Sequence, residues 1–152
     1  MKIEEQPSLA QRQKAQRFAG KWHNQHNSEI DLCIDDDGSV SGTFTTTIKG
    51  SGKRESFPLR GFASNDVIAF SVGFPRYGSV TSWSGQIANI AEDGELKNTL
   101  QTLWHMALDL GDKADTDLWR GTLSGSDIFR VGAADEESVI ETMLPPSHPW
   151  WI

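Results

Sequence analysis

Short runs of alternating apolar and polar residues, separated by turn signals about every 8 to 15 residues, constrain this chain most strongly. In residues 29–34, for example, Ile30, Leu32 and Ile34 fall on one face of an extended strand. The Asp-Gly pair that ends the 35–38 turn supplies the positive backbone angles that a short hairpin needs, and Asp93-Gly94 joins the sixth strand to the seventh. This pattern is typical of antiparallel strands that pair in chain order, and it predicts an all-β protein.

The runs predict about eight strands, over residues 18–24, 29–34, 39–47, 55–62, 66–74, 80–91, 96–108 and 118–131. Eight strands close into an interior just wide enough for side chains or for one small ligand. We therefore predict an eight-stranded antiparallel up-and-down β-barrel over residues 18–131. Residues 1–17 form a leader that is either disordered or a short helix, and residues 132–152 form an acidic tail with aromatic residues near its end.

Composition excludes several classes of function. The formal charge of -7 argues against a nucleic-acid partner, because phosphate binding needs a basic face. No apolar run approaches the roughly 20 residues of a membrane span, and residues 1–17 lack the apolar core of a signal peptide. A single cysteine, Cys33, stands among apolar residues, which favours a small buried side chain over a nucleophile.

The usual signatures of catalysis are absent from the sequence. There is no Ser-His-Asp order with a nucleophile elbow, no glycine-rich phosphate loop and no Cys/His metal pattern. His23 and His26 are expected to lie on one strand and to face opposite sides, which makes them a poor metal pair. The sequence predicts a binding protein that is not an enzyme and has neither cofactor nor metal.

Polar residues spread from Asn24 to Asp127 are predicted to face the interior, among several tryptophans. Buried polar groups are costly unless paired, so such a cluster favours a small polar ligand. Taken singly, each residue has a structural alternative. The hydroxyl and amide side chains can bond the backbone at strand ends, the indoles can be core, and Asp127 can pair with Arg120 or Arg130.

From Gly20 to Val131 the chain resembles the avidin and streptavidin family of biotin-binding barrels. The resemblance rests on the joint order of five motifs: Gly20-Lys21-Trp22-His23-Asn24-Gln25, Gly42-Thr43-Phe44-Thr45-Thr46, Thr81-Ser82-Trp83-Ser84-Gly85-Gln86, Thr102-Leu103-Trp104 and Asp117-Leu118-Trp119. It implies non-catalytic, high-affinity binding of biotin inside the barrel.

The resemblance also implies how the ureido group of biotin is held. Asn24 and Ser28 match the donors to the ureido oxygen, while Phe44 stands where the family has a donating tyrosine. Asp127 and Thr46 match the acceptors for the ureido nitrogens. Asp127 is expected to dominate, because charge-assisted hydrogen bonds are the stronger kind.

The rest of the implied pocket is a thioether contact, a carboxylate subsite and apolar walls. Thr81 matches the hydroxyl at the thioether sulfur, and the residues at the valerate carboxylate are Ser79, Lys49, Gly50 and Ser51. The lining residues are Trp83, Trp104, Met106, Phe74, where the family usually has tryptophan, and His26, where it commonly has an apolar side chain.

Trp119 matches the indole that covers the ligand of a neighbouring subunit. The resemblance therefore implies a homo-oligomer, most often a tetramer, with a dimer or higher assembly as alternatives. Family members are mostly exported, which implies a secreted or periplasmic protein.

The tail over residues 132–152 is not required by this family's barrel. Residues 138–144 are expected to form a helical turn or two before Pro145-Pro146, with Trp150-Trp151-Ile152 beyond. Exposed indoles favour a tail that packs on its own barrel or on a neighbour. The alternative functions are an avidin-like barrel for another small molecule, or an interaction module whose tail occupies the pocket or drives oligomerisation.

Overall fold

The computed structural model describes residues 8–48, 51–111, 121–134 and 147–149. Within them, eight strands pair in chain order and close into a barrel, in which β8 returns to β1 through the pairs Trp22↔Val131 and His23↔Arg130. The strands are β1 Gly20–His23, β2 Glu29–Ile34, β3 Ser39–Thr47, β4 Arg54–Ser64, β5 Val67–Phe74, β6 Ser79–Glu92, β7 Glu95–Leu108 and β8 Thr122–Val131. The predicted eight-stranded antiparallel up-and-down barrel is confirmed.

Side chains alternate between the two faces of each strand, as the period of two dictates. In β5 every second residue is buried, and in β2 Ile30, Leu32 and Ile34 all enter the core. Cys33 lies between two of them and is exposed, so the prediction that it is buried is wrong. The apolar neighbours that suggested burial are the ones that place Cys33 on the outer face.

The two Asp-Gly turns differ, because the positive φ predicted for the Asp37-Gly38 pair is found only at Gly38, whereas both residues of the second pair have it. Asp93 and Gly94 both have positive φ, 52° and 79°, and they join β6 to β7 as a two-residue hairpin loop. Gly38 has a φ of 89° between β2 and β3. Because the strands form a meander, these two turns lie at one end of the barrel, and the loops that follow β1 and β5 lie at the other.

A short helix packs against the end of the barrel that carries the Asp-Gly turns. Helix α1, Leu9–Ala15, begins with a capping box in which Ser8 and Gln11 exchange backbone and side-chain hydrogen bonds. A 3-10 turn, Gln16–Phe18, follows and buries Phe18 completely. The first strand therefore begins at Gly20 rather than at residue 18. No helix in the described ranges is long and apolar enough to cross a membrane.

Candidate functional site

The loop after β1 fixes the orientation of the Asn24 amide. Asn24 Oδ1 accepts hydrogen bonds from the backbone N–H groups of His26, at 3.0 Å, and Ser28, at 2.9 Å. This local use of the oxygen leaves Nδ2 to point inward, where it lies 3.3 Å from Asp127 Oδ2. The side chain of Asn24 is almost fully buried. The sequence folds this loop so that the interior receives an amide donor.

Asp127, on β8, is the polar centre of the interior and has no exposed surface. Its Oδ2 accepts a hydrogen bond of 2.8 Å from Trp83 Nε1 in addition to the one from Asn24. Gln25 Nε2 donates to Oδ1 at 3.0 Å, and the backbone N–H of Ile128 donates to Gln25 Oε1. Several donors converge on one carboxylate, which is the arrangement a buried charge requires.

The alternative in which Asp127 pairs with Arg130 is wrong. Arg130 alternates with Asp127 to the outer face and binds Glu92, with Nη2 at 2.8 Å from Oε1. This surface ion pair lowers the pKa of Glu92, chiefly through the hydrogen bond from Arg130. Arg120 lies outside the described residues.

Ser28 and Thr46 form a hydroxyl pair beside this centre. Their Oγ and Oγ1 atoms are 2.8 Å apart, and both side chains are buried. A hydroxyl can donate and accept, so one member of such a pair can donate to an oxygen while the other accepts from a nitrogen. The structure thus brings Asn24, Ser28, Thr46 and Asp127 into one polar cluster.

Aromatic side chains surround the polar cluster. The ring of Phe44 lies 5.8 Å from that of Phe74, edge to face, and 5.4 Å from Trp83, while Phe70 stacks on Trp83 at 5.0 Å. Phe44, Phe74 and Trp83 are each fully buried. Phe44 is therefore a wall residue with no polar atom to offer.

Trp104, on β7, is fully buried and is accommodated by a glycine. A Cβ at Gly125 would lie 2.4 Å from Trp104 Cζ2, so only glycine leaves room for the indole. Trp104 Nε1 has no hydrogen-bond partner within the described part of the chain. An indole N–H is donor-only, so this atom remains available to an acceptor.

Inward-facing residues of β6 and β7 continue the lining of the barrel interior. Thr81 pairs with Met106 across the two strands, and both are fully buried. Ser79 is buried, and among the residues described here its Oγ has no partner. Ser51 differs, because its exposed side chain bonds Ile48 and Lys53 within its own loop. Lys49, Gly50 and Trp119 were also predicted site residues and lie outside the described residues.

His26 lies in the loop after β1 and not on the strand, because β1 ends at His23. The expectation that the two histidines alternate along one strand is therefore wrong. His23 Nδ1 lies 3.0 Å from the backbone oxygen of Gly132, whereas His26 is half-buried near Asp127. Burial lowers the pKa of His26, and the nearby Asp127 carboxylate partly opposes this effect.

A segment of the tail, Ser147-His148-Pro149, is buried among these groups. Ser147 Oγ donates to Asp127 Oδ2 at 2.7 Å, and Thr81 Oγ1 donates to the Ser147 backbone oxygen at 2.8 Å. Burial, with a smaller contribution from His26, lowers the pKa of His148 to about 3. The predicted helical turn over residues 138–144 and the residues from Trp150 onward lie outside the described residues.

Two residues of this site were missed by the sequence reasoning. Gln25 stands beside Asn24, and only the fold reveals that it bridges to Asp127 and Ile128. Ser147 lies in a proline-rich stretch without strand periodicity, and no pattern in the sequence connects it with β8. The one available signal was the pair of aromatic residues at Trp150 and Trp151, which favours docking of the tail.

The fold and the site together define a closed β-barrel whose interior carries the polar and aromatic groups of a small-ligand pocket. The chain belongs to the avidin family, whose family model matches residues 12–131. The predicted family is thereby confirmed. This family is non-catalytic, which also confirms that the protein is not an enzyme.

Solved structures of avidin-like proteins resemble this chain over most of its length. Xenavidin is 25% identical over 74% of this chain and 94% of its own, with a TM-score of 0.60. A rhizavidin–biotin complex is 26% identical over 77% of this chain and 95% of its own, also with a TM-score of 0.60. Apo shwanavidin, 23% identical over 74% of this chain and 98% of its own, with a TM-score of 0.58, shares the fold.

Proposed function

We propose that this protein binds biotin without catalysis, with the bicyclic ring inside the barrel. The observation that carries the proposal is the cluster of Asn24, Ser28, Thr46 and Asp127 beneath an aromatic wall. Family membership and the biotin complex of rhizavidin support the same ligand.

The cluster is complementary to a cyclic urea. The urea oxygen is an acceptor, and the inward Nδ2 of Asn24 and the hydroxyl of Ser28 are the donors we assign to it. The urea nitrogens are donors, and we assign Asp127 and Thr46 as their acceptors. A carboxylate that accepts from one nitrogen polarises the urea toward the donors at its oxygen, which strengthens both sets of hydrogen bonds.

The remaining wall and rim assignments belong to the same proposal. Trp83, Trp104, Phe74 and Met106 enclose the ring, and Thr81 meets the thioether sulfur. Ser79 and the 49–51 loop receive the valerate carboxylate, with His26 close by. The Oγ of buried Ser79, which has no partner among the described residues, supports this role, since a ligand oxygen would satisfy it.

Three broader features are also proposed. Trp119 of one subunit covers the ligand of its neighbour, so the working unit is a homo-oligomer, most simply a tetramer. The protein is secreted or periplasmic. The resemblance of the 117–119 motif to the family supports the first two features. The export of most family members supports the third.

Isothermal titration with biotin tests the proposal. The protein is first unfolded and refolded to remove any resident ligand. We expect saturation at about one biotin per chain, with an affinity too tight to resolve directly, since biotin with streptavidin approaches the ceiling of non-covalent affinity. The same titration is made with Ser147→Ala, in which the tail loses its hydrogen bond to Asp127. The absence of heat with both proteins would reject biotin as the ligand.

A further inference from the structure

The segment Ser147-His148-Pro149 contacts the interior of the barrel through two hydrogen bonds that have the geometry of a bound ligand. Ser147 Oγ donates to the buried carboxylate of Asp127 at 2.7 Å, the length of a charge-assisted bond. The Ser147 backbone oxygen accepts from Thr81 Oγ1 at 2.8 Å. Side chain and backbone of one residue are thus recognised by different strands, β8 and β6.

Burial shows that the segment lies inside the barrel rather than on its rim. Ser147 has no exposed surface, His148 is 9% exposed and Pro149 is also buried. Burying a hydroxyl and an imidazole is costly unless the site provides partners. The site provides partners for Ser147, because its hydroxyl bonds Asp127 and its backbone oxygen bonds Thr81. Both partner residues are themselves fully buried.

Thr81 and Asp127 are also groups that we assign to biotin. Asp127 Oδ2 also accepts from Trp83 and Asn24, so with Ser147 three donors share the two lone pairs of this oxygen. A urea nitrogen and the Ser147 hydroxyl therefore compete for the same lone pairs. Two occupants cannot fill the same buried volume, so the segment and the ligand exclude each other.

We propose that Ser147-His148-Pro149 is an internal ligand of this barrel, which occupies the biotin site and must leave before biotin binds. This inference rests on the proposed function for the identity of the competitor, but the docking of the segment stands independently of it. Biotin can bind only those molecules in which the site is open. Docking therefore reduces the apparent affinity for biotin in proportion to the fraction of molecules whose site is open.

The docked state carries its own spectroscopic signature. His148 is held neutral by burial and by the proximity of His26, with its pKa lowered to about 3. A histidine in a released segment titrates near about 6.5. The protonation of His148 therefore reports docking directly, without any measurement of biotin.

The first experiment follows the imidazole signals of the full chain by NMR between pH 8 and pH 4. His148 is identified by its absence in His148→Gln, with His105→Gln on the outer face of β7 as the matched control. Without biotin we expect His148 to stay neutral down to about pH 4. With biotin present we expect it to titrate with a pKa of about 6.5. Ordinary titration without biotin would overturn the docking, and a neutral His148 in the biotin complex would overturn the competition.

The second experiment measures biotin association and affinity in Ser147→Ala. Losing a hydrogen bond to a charged group weakens docking by about ten- to hundredfold, and biotin should bind tighter by up to the same factor. Ser124→Ala, on the outer face of the same strand as Asp127, should match the native protein. Equal affinity in all three proteins would overturn the competition.

The two experiments separate the two proposals. If the protein binds biotin and His148 titrates normally in the absence of biotin, the proposed function is retained and the internal ligand is rejected. A neutral His148 in a protein that binds no biotin, even as Ser147→Ala, rejects the biotin function and the competition and retains the docking. An affinity that falls with increasing protein concentration would reject docking within one chain in favour of docking between chains.

Discussion

Asp127 shows how a single residue organises this site. A buried carboxylate is unfavourable by itself, and here it is compensated by donors from three elements: Trp83 on β6, Asn24 and Gln25 after β1, and Ser147 from the tail. Each donor is held in place by the need to satisfy that charge. The residue therefore contributes both to recognition and to the order of the surrounding side chains.

Asp127→Ala should weaken biotin binding more than the loss of any single wall residue. The change removes the acceptor for a urea nitrogen and leaves Trp83 Nε1 unsatisfied in the core, which costs about 1 to 3 kcal/mol per buried group. We expect an affinity loss of at least about a hundredfold, measured from the association and dissociation rates of biotin in the variant and in the native protein. Asp127→Asn keeps the shape and is the matched control, with a smaller loss. Unchanged affinity in Asp127→Ala would show that the urea site is assigned wrongly.

Phe44→Tyr should lengthen the residence time of biotin. Phe44 is buried against Phe74 and Trp83 and offers no donor, so the urea oxygen lacks one partner that a tyrosine hydroxyl would supply. A recovered hydrogen bond of about 1 to 3 kcal/mol slows dissociation by roughly one to two powers of ten.

Phe57→Tyr is the control for Phe44→Tyr, because Phe57 belongs to the same aromatic cluster and pairs with Phe44 across β3 and β4. Dissociation rates are measured by chase with excess unlabelled biotin. If biotin dissociates from Phe44→Tyr no more slowly than from the native protein, the urea oxygen already has its full set of partners.

At the scale of elements, the loop after β1 and the long β6–β7 hairpin have separate tasks. The loop converts a strand end into an oriented amide, because Asn24 Oδ1 is already engaged by two backbone N–H groups. The hairpin supplies Thr81, Trp83 and Trp104 on its inward face, and its register depends on the turn at Asp93-Gly94. A two-residue hairpin loop of type I′ needs positive φ at both positions.

Gly94→Ala should destabilise the barrel through the backbone alone. Gly94 has a φ of 79° and an added Cβ would meet no atom within 4 Å, so the cost is conformational. We expect about 1 to 2 kcal/mol lower free energy of unfolding in urea, with biotin affinity unchanged, because the turn lies at the end of the barrel opposite the Asn24 loop.

Gly73→Ala on β5 is the control for this prediction. An added Cβ there also meets nothing within 4 Å, and Gly73 is not among the glycines with positive φ. Its free energy of unfolding should stay within about 0.5 kcal/mol of the native value. Equal losses in the two variants would mean that side-chain volume, and not backbone conformation, limits the turn.

At the scale of the whole molecule, docking of the tail segment in the barrel depends on pH. Burial lowers the pKa of His148 to about 3, and the released histidine has a pKa near about 6.5. Docking is therefore fully favourable above about pH 6.5 and weakens as the pH falls from there toward 3. Burial also lowers the pKa of His26, and the negative charge of Asp127 opposes that effect.

Biotin should consequently bind more tightly at pH 5 than at pH 8. Protonation of the released His148 at pH 5 disfavours docking by about thirtyfold, and the apparent biotin affinity should rise by up to that factor. Biotin association and dissociation rates of the native protein and of His148→Gln at both pH values isolate this effect, because all other groups are common to the two proteins. Parallel pH profiles would remove His148 as the cause.

The strands and their connection order were predictable because they depend on local chemistry. Alternation placed Ile30, Leu32 and Ile34 in the core, and the Asp93-Gly94 pair joined the sixth and seventh strands as expected. The same local reasoning misplaced Cys33, because apolar neighbours in sequence lie on the opposite face of a strand. It also extended the first strand too far, since Phe18 ends a 3-10 turn.

The sequence by itself determined the barrel, its family and the residue types of the pocket, because periodicity, turn residues and motif order are local or additive signals. Only the tertiary structure decided which polar atoms meet. The bond from Gln25 to Asp127 spans 102 positions and the bond from Thr81 to Ser147 spans 66. Such contacts depend on barrel closure and on the compensation of a buried charge, and neither leaves a period in the sequence.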